Sequence, residues 1–189
     1  GYVKQPSDVI VNMKRSGIRE IFDRANQIPG AIHLEMGEPD FPTPQHIREA
    51  AARAAEEGHT KYTPNAGIDE LREAVAQKLR ARNGIDVTAG QVVVTPGAIA
   101  ALYGTLMALC NAGDEILISD PAWPNYSMLA GLQEVGVTRY PMRPENGMQP
   151  KAEDIEPLIT GRTKILLINS PCNPTGTVID RDHLKELLQ

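Results

Sequence analysis

The stretch Thr163-Lys-Ile-Leu-Leu-Ile-Asn-Ser-Pro-Cys-Asn-Pro-Thr-Gly-Thr177 decides the fold. Its first half, Ile165 to Ile168, is a continuous apolar run, the pattern of a strand with both faces buried in a parallel sheet, and predicts a central strand. Its second half, Ser170 to Gly176, holds two prolines and a glycine, which stop the strand at Asn169 and turn the chain through a rigid loop before the next helix. Ligands of open α/β sheets bind outside such strand ends. A loop stiffened by Pro171 and Pro174 would present Asn173, an amide with two donors and an acceptor, where small molecules bind. The same residues also suit an ordinary strand-to-helix turn.

Working outward from that stretch, strands and helices alternate. Val92 to Thr95 reads as a strand, Pro96-Gly97-Ala98 as a tight turn and Ile99 to Leu109 as an apolar helix. Then come a strand at Glu115 to Ser119, the loop Asp120-Pro-Ala-Trp-Pro124, a helix at Tyr126 to Glu134, a strand at Val137 to Tyr140 and a helix at Ala152 to Ile159. This period predicts an α/β fold with helices on both faces of a mainly parallel sheet and right-handed crossovers. Upstream, Asp8 to Gln27 carries a helical pattern broken at Ser16-Gly17, and Ala31 to Met36 alternates like a short strand. Thr43 is expected to cap a helix with Pro44 at its first position, running to Glu57, and a second helix runs from Ile68 to a stop at Asn83-Gly84. Asp180 opens a last helix, whose pattern continues to Gln189 without a stop signal and so predicts a cut end.

Composition narrows the function classes. The 189 residues suffice for one domain with a sizeable core, and 41% hydrophobic with 23% charged residues is a globular mix. A net charge of -5 without a basic run argues against a nucleic-acid partner, and no apolar segment has the length of a membrane span or the form of a signal peptide, so a cytoplasmic protein is expected. Cys110 and Cys172 do not form a disulfide framework, and His33, His46, His59 and His183 lack metal-ligand spacing.

Chemistry concentrates in three loops that follow strands. At Thr95-Pro-Gly-Ala-Ile99 a strand feeds directly into a helix start, where free backbone N–H groups and the helix dipole favour an anion such as phosphate, and Gly97 admits close approach. Neither the Walker nor the dinucleotide glycine spacing is present. Trp123, the single tryptophan in a chain with 4% aromatics, lies between Pro121 and Pro124 and suits a wall for a flat ligand, with core packing as the alternative. An anion site, an aromatic wall and a fixed amide together describe a pocket for a planar, phosphorylated, hydroxylated ring.

Leu34-Glu-Met-Gly-Glu-Pro-Asp-Phe41, Lys61-Tyr-Thr-Pro-Asn-Ala-Gly67, Asp120-Pro-Ala-Trp123 and Ser170-Pro-Cys-Asn-Pro-Thr-Gly176 stand in the order and spacing of the class I aminotransferases. Over nearly its whole length the chain resembles these pyridoxal-phosphate enzymes of the aspartate aminotransferase fold type. The resemblance implies a three-layer α/β/α architecture, with residues 1–43 as an N-terminal arm and small-domain segment and 44–189 as a large cofactor-binding domain cut short at its C-terminal end. It implies that Asn173 donates to the phenolic oxygen of pyridoxal phosphate, that Trp123 stacks on the ring and that amides at Gly97, Ala98 and Ile99 hold the phosphate. Tyr62 would add its hydroxyl from a neighbouring subunit, implying a homodimer. Gly37 would offer its N–H to the substrate α-carboxylate, with Trp123 and Asn173 beside the substrate. The Asp120-Pro121 and Asn173-Pro174 bonds are expected to be cis.

Two departures qualify this. Ala98, Ile99 and Ala100 stand where family members use small or polar residues, so backbone contacts to phosphate survive and hydroxyl contacts do not. The family's Schiff-base lysine, the acidic partner of the pyridine nitrogen and the substrate-carboxylate arginine all lie beyond the Asn-Pro-Thr-Gly motif. Lys4, Lys14, Lys61, Lys78, Lys151, Lys164 and Lys185 match none of those positions, so the 189 residues alone are expected not to transaminate. The leading expectation is part of an aminotransferase acting on an L-amino acid and a 2-oxo acid. Open beside it are a lyase of the same fold, disfavoured by tryptophan at position 123, a non-catalytic binding module such as a regulator's effector domain, and a remnant that only dimerises.

Overall fold

The structure is a computed structural model describing residues 4–13 and 17–189. Ser16 of the expected helix break and Lys14 lie outside the described residues. In chain order the elements are α1 (Asp8–Asn12), α2 (Gly17–Ala25), α3 (Gln45–Glu56), α4 (Asp69–Lys78), α5 (Ala98–Leu109), β1 (Glu115–Asp120), α6 (Pro124–Gly131), β2 (Gly136–Pro141), α7 (Ala152–Ile155), β3 (Thr163–Leu166) and α8 (Arg181–Leu187). Contacts divide the chain into two units, Ile32–Ala101 and a second made of Gly1–Ala31 with Leu102–Gln189.

The second unit holds the sheet. Its strands lie in the order β2-β1-β3 and all pair in parallel, with Ile116 opposite both Val137 and Ile165. The period of two in β1 sorts its side chains between two cores. Ile116 and Ile118 point to a cluster with Leu106 of α5, Tyr126, Leu129 and Ala130 of α6, and Val135. Leu117 points the other way, to Tyr140, Met142 and Ile155 of α7, with Leu187 of α8 packed alongside. Helices therefore cover both faces, the expected three-layer α/β/α arrangement.

The stretch that decides the fold is a strand, but not the central one. β1 occupies the middle, and β3 pairs with β1 alone among the described residues. Consistent with an edge position, β3 is half-buried rather than enclosed. Only one more bond, Leu167 N–H to the Leu117 carbonyl at 2.8 Å, continues the pairing beyond Leu166.

In Ile32–Ala101 two expected strands do not form. Ala31 to Met36 and Val92 to Thr95 have strand-like sequences, yet a strand exists only where a neighbour accepts its ladder. Ile32 and Leu34 are 84% and 87% exposed, and from Val92 to Thr95 the one ladder-like bond runs from Val94 N–H to the Ala66 carbonyl at 2.9 Å. Polar anchors tie this unit together instead. Arg72 on α4 donates Nε to the Val92 carbonyl at 3.0 Å and Nη1 to Asp69 at 3.1 Å, while Arg80 donates to the Val87 carbonyl at 2.6 Å and Glu73 at 2.9 Å. Ala76 is its one buried residue among those described. α3 starts one residue later than expected: Pro44 is the N-cap and Thr43 makes no capping bond, so the first-turn amides have no side-chain acceptor. After α4 the helix widens into a π turn, Leu79–Asn83, and stops at Gly84 with φ +67°, the left-handed terminus that Asn83-Gly84 predicts.

Candidate functional site

Two of the loops named from sequence follow the C-terminal ends of the adjacent parallel strands β1 and β3. They therefore lie at one edge of the sheet, the edge where open α/β sheets bind ligands. After β1, the Ser119 hydroxyl donates to the Pro121 carbonyl at 2.9 Å, and Met142 N–H donates to the Asp120 carbonyl at 2.9 Å, tying the loop to the end of β2. The Asp120-Pro121 bond is cis, as expected. Trp123 is the N-cap of α6, with Pro124 at the first helical position, where its missing N–H costs nothing. The indole meets the Tyr126 ring edge-on, with centroids 5.5 Å apart and planes at 87°. Trp123 is half-buried and packs against the Ile116–Ile118 core. The two readings of Trp123 are thus compatible: one part of the ring is anchored by packing and another stays accessible.

After β3, the loop is closed by its own hydrogen bonds. Cys172 N–H donates to the Thr177 carbonyl at 2.9 Å, Gly176 N–H to the Cys172 carbonyl at 2.7 Å, and Ile179 N–H to the Ser170 hydroxyl at 2.9 Å. The Asn173-Pro174 bond is cis as expected, and Ser170-Pro171 is cis as well. Asn173 is exposed, and its carboxamide has no hydrogen-bond partner among the described residues. A side chain with two free donors and a free acceptor on a stiffened loop is available to a ligand.

Sequence reasoning gave no role to the groups beneath these loops. Tyr140 is the one fully buried residue of β2, and its hydroxyl donates to the Leu167 carbonyl at 3.0 Å, across 27 positions of sequence. Asn169 belongs to the quoted motif, and its Oδ1 accepts the Asn173 N–H at 2.9 Å. Burial pushes the Tyr140 phenol up to about 12. Burial likewise raises Tyr126 and the Cys110 thiol. A phenol in the unfolded chain ionises near 10, so the stability contributed by neutral Tyr140 is complete below that pH and is lost as the pH climbs to about 12. At about 1.4 kcal/mol per pH unit, the loss is about 2–3 kcal/mol. Urea unfolding followed from about pH 9 to 12 should show this decline in the parent and a shallower one in Tyr140→Phe, where Tyr126 and Cys110 retain a smaller effect of the same sign. Equal slopes would exclude Tyr140 as its source.

The remaining predicted positions lie on Ile32–Ala101. Gly97 sits at φ +86°, its N–H donating to the Thr95 carbonyl at 2.8 Å and its own carbonyl accepting the Thr95 hydroxyl at 3.0 Å. Nothing lies within 4 Å of where a Cβ would stand, so the space before the helix is open. α5 begins at Ala98, has no acidic residue in its first turn and exposes Ala98 and Ile99. The first-turn amides of a twelve-residue helix have no intrahelical acceptor and carry the positive end of the dipole, so they suit an anion. Tyr62 is fully exposed and Gly37 has an open backbone. Beside Gly37, His33 Nδ1 lies 2.6 Å from Glu35 and holds that carboxyl below its ordinary value.

Taken one by one, free helix-start amides have the chemistry to hold an anion such as the phosphate of pyridoxal phosphate, an unpaired carboxamide to meet a phenolic oxygen and an anchored indole to cover a ring face. Lys4, Lys61, Lys78, Lys164 and Lys185 are exposed, and the half-buried Lys151 pairs with Glu153 at 3.1 Å. Among the described residues no group of histidines, cysteines and carboxylates could hold a metal ion, and no helix is long and apolar enough to cross a membrane.

Comparison with known proteins places these features in a family. The model of the family "Aminotransferase class I and II" matches residues 29–189. The chain is 43% identical over 178 residues to an aspartate aminotransferase of Pyrococcus horikoshii, covering 94% of this chain and 46% of that protein. It is 40% identical over 185 residues to an aspartate/prephenate aminotransferase of Thermus thermophilus, covering 98% and 46%. Among solved structures, an alanine aminotransferase from Pyrococcus furiosus superposes with a TM-score of 0.92 at 34% identity, over 97% of this chain and 48% of that one. An aspartate aminotransferase from Rhizobium meliloti gives 0.93 at 34% identity, over 98% and 48%. The chain thus spans about half the length of the relatives it matches. The α/β fold, the four motifs and a family match over residues 29–189 agree, and the chain belongs to the class I and II aminotransferases.

Proposed function

We propose that this chain is part of a pyridoxal-phosphate-dependent aminotransferase that moves an amino group between an L-amino acid and a 2-oxo acid. The observation that carries the reading is the pair of loops at the C-terminal edge of the parallel sheet, one presenting Trp123 and the other the unpartnered carboxamide of Asn173. The aspartate, aspartate/prephenate and alanine aminotransferases among its relatives support the same reaction class.

In this reading Asn173 donates to the phenolic oxygen of the cofactor, and Trp123 covers one ring face and keeps water from it. The amides of Ala98 and Ile99 hold the phosphate, while Gly97, whose N–H is spent on the Thr95 carbonyl, serves the site by leaving its Cβ position open. Tyr62 adds its hydroxyl to that phosphate from the neighbouring subunit of a homodimer, and Gly37 N–H orients the substrate by its α-carboxylate. Trp123 and Asn173 also line the substrate's approach. Bound pyridoxal phosphate supplies an electron sink for chemistry at the substrate's α-carbon. No lysine of these 189 residues is assigned the covalent anchor or the proton transfer, so the chain by itself binds and orients without turning over.

The dimer is supported by the surface of Ile32–Ala101, where Ile32, Leu34 and Phe41 are 82–87% exposed, more apolar area than a lone unit gains from leaving in water. Residues 1–43 would serve as arm and small-domain segment and 44–189 as the large cofactor-binding domain, in a cytoplasmic enzyme.

In the full-length protein, Asn173→Ala should weaken pyridoxal phosphate about tenfold, the equivalent of one hydrogen bond to a charged acceptor. Equilibrium titration of the apoenzyme measures this. Unchanged affinity would remove Asn173 from the site.

A further inference from the structure

Asn173 is exposed and its carboxamide makes no hydrogen bond among the described residues, so no bond of the side chain itself sets where its donors point. What holds the residue is one bond to its backbone: Asn173 N–H donates to the side-chain Oδ1 of Asn169 at 2.9 Å. Asn169 is half-buried at the point where the chain leaves the sheet. Two residues earlier, Leu167 is gripped from both sides, its N–H bound to the Leu117 carbonyl of β1 at 2.8 Å and its carbonyl accepting the buried Tyr140 hydroxyl at 3.0 Å. A continuous set of bonds thus runs from the core of the sheet through Leu167 and Asn169 to the backbone of Asn173. Beyond Asn173 the loop is tied by Gly176 N–H to the Cys172 carbonyl at 2.7 Å and by Ser170 to Ile179 at 2.9 Å, contacts that leave Asn173's own N–H to Asn169 alone.

We infer that Asn169 is a positioning residue for cofactor binding: its side-chain oxygen fixes the backbone of Asn173 and so aims the Asn173 carboxamide. The inference rests on the proposal that Asn173 is a cofactor ligand. It differs from ordinary loop stabilisation in one respect, since an effect exerted through the Asn173 carboxamide vanishes when that carboxamide is gone. Asn173→Ala keeps the backbone N–H and therefore keeps the Asn169 contact, so it removes only the group being aimed.

The test is a double-mutant cycle in the full-length protein, read by pyridoxal phosphate affinity of the apoenzyme and by the pH midpoint of the bound cofactor's visible absorption. Asn169→Ala should weaken binding about three- to fivefold and shift the midpoint in the same direction as Asn173→Ala. Asn169→Asp, which keeps the acceptor oxygen, should stay within about twofold of the parent. In the Asn173→Ala background, Asn169→Ala should add less than about 1.5-fold. The same loss in both backgrounds would make Asn169 a merely structural residue and overturn the inference, as would a silent Asn169→Ala beside an effective Asn173→Ala. A silent Asn173→Ala would overturn the ligand assignment itself, and that result is read separately from the Asn169 arms.

Discussion

Ile116→Ala should destabilise the sheet-bearing unit by about 3–4 kcal/mol, the range for truncating a fully buried aliphatic side chain whose surroundings cannot close in. Ile116 is 0% exposed and stands in the middle strand, its backbone paired to Val137 on one side and Ile165 on the other. Two ladders hold β1 in place, so neither α5 nor α6 can follow the retreating side chain without leaving the rest of its own contacts. An apolar cavity of about 250 Å³ already borders Ile116, lined also by Leu102, Leu106, Tyr126 and Leu129, and the truncation would enlarge it rather than fill it. Trp123 packs on the same cluster, so the loss should also loosen the indole that the functional proposal places on the ring face. Urea unfolding measures the effect, with Ile165→Ala on the half-buried edge strand as the control expected to cost about half as much. A loss below about 1 kcal/mol for Ile116→Ala would show that this core collapses freely.

Gly67→Ala should cost Ile32–Ala101 about 3 kcal/mol through two separate effects. Its φ of +101° is a conformation that a residue with a Cβ rarely adopts. An added Cβ would also stand 2.7 Å from Val94 Cγ2 and 2.9 Å from Val94 Cβ. The Cβ of a β-branched residue cannot swing aside, because it is fixed to its own backbone. That backbone is held by the bond from Val94 N–H to the Ala66 carbonyl at 2.9 Å, so relief of the overlap breaks this link. Hydrogen exchange at the Val94 amide reports the loss directly, and unchanged protection would refute the account. Gly97 is the contrast. Its φ of +86° is similar but its Cβ position is open, so Gly97→Ala should cost only the dihedral penalty, about 1 kcal/mol. Because Gly67 N–H also closes the turn onto the Pro64 carbonyl at 2.9 Å, the substitution disturbs the loop that carries Tyr62, the residue that the functional proposal assigns to the cofactor phosphate.

The site and the core were legible to different depths. Each site residue proposed from sequence falls on a loop or a helix start, as expected, because proline and glycine punctuate the chain through their own backbone limits and need no partner to do so. Asp120-Pro-Ala-Trp-Pro124, Ser170 to Gly176 and the turn at Gly97 are of this kind. The groups beneath those loops were not legible. Nothing in the sequence near Tyr140 says that its hydroxyl meets Leu167, and Asn169 could be seen as part of a motif but not as the acceptor for Asn173.

By itself the sequence determined which stretches are helical, where the chain must turn and which family's motifs are present, since each is a property of one residue or one short period, while helix ends such as those of α6 and α7 shifted by several residues. Only the tertiary structure decided which apolar runs became strands and which strand stood in the middle. Val92 to Thr95 and Ala31 to Met36 are as strand-like in sequence as Glu115 to Ser119, but only the last has a parallel neighbour on each side. A strand's hydrogen bonds are made to another part of the chain, so its existence and its rank in the sheet depend on a partner that local sequence does not contain.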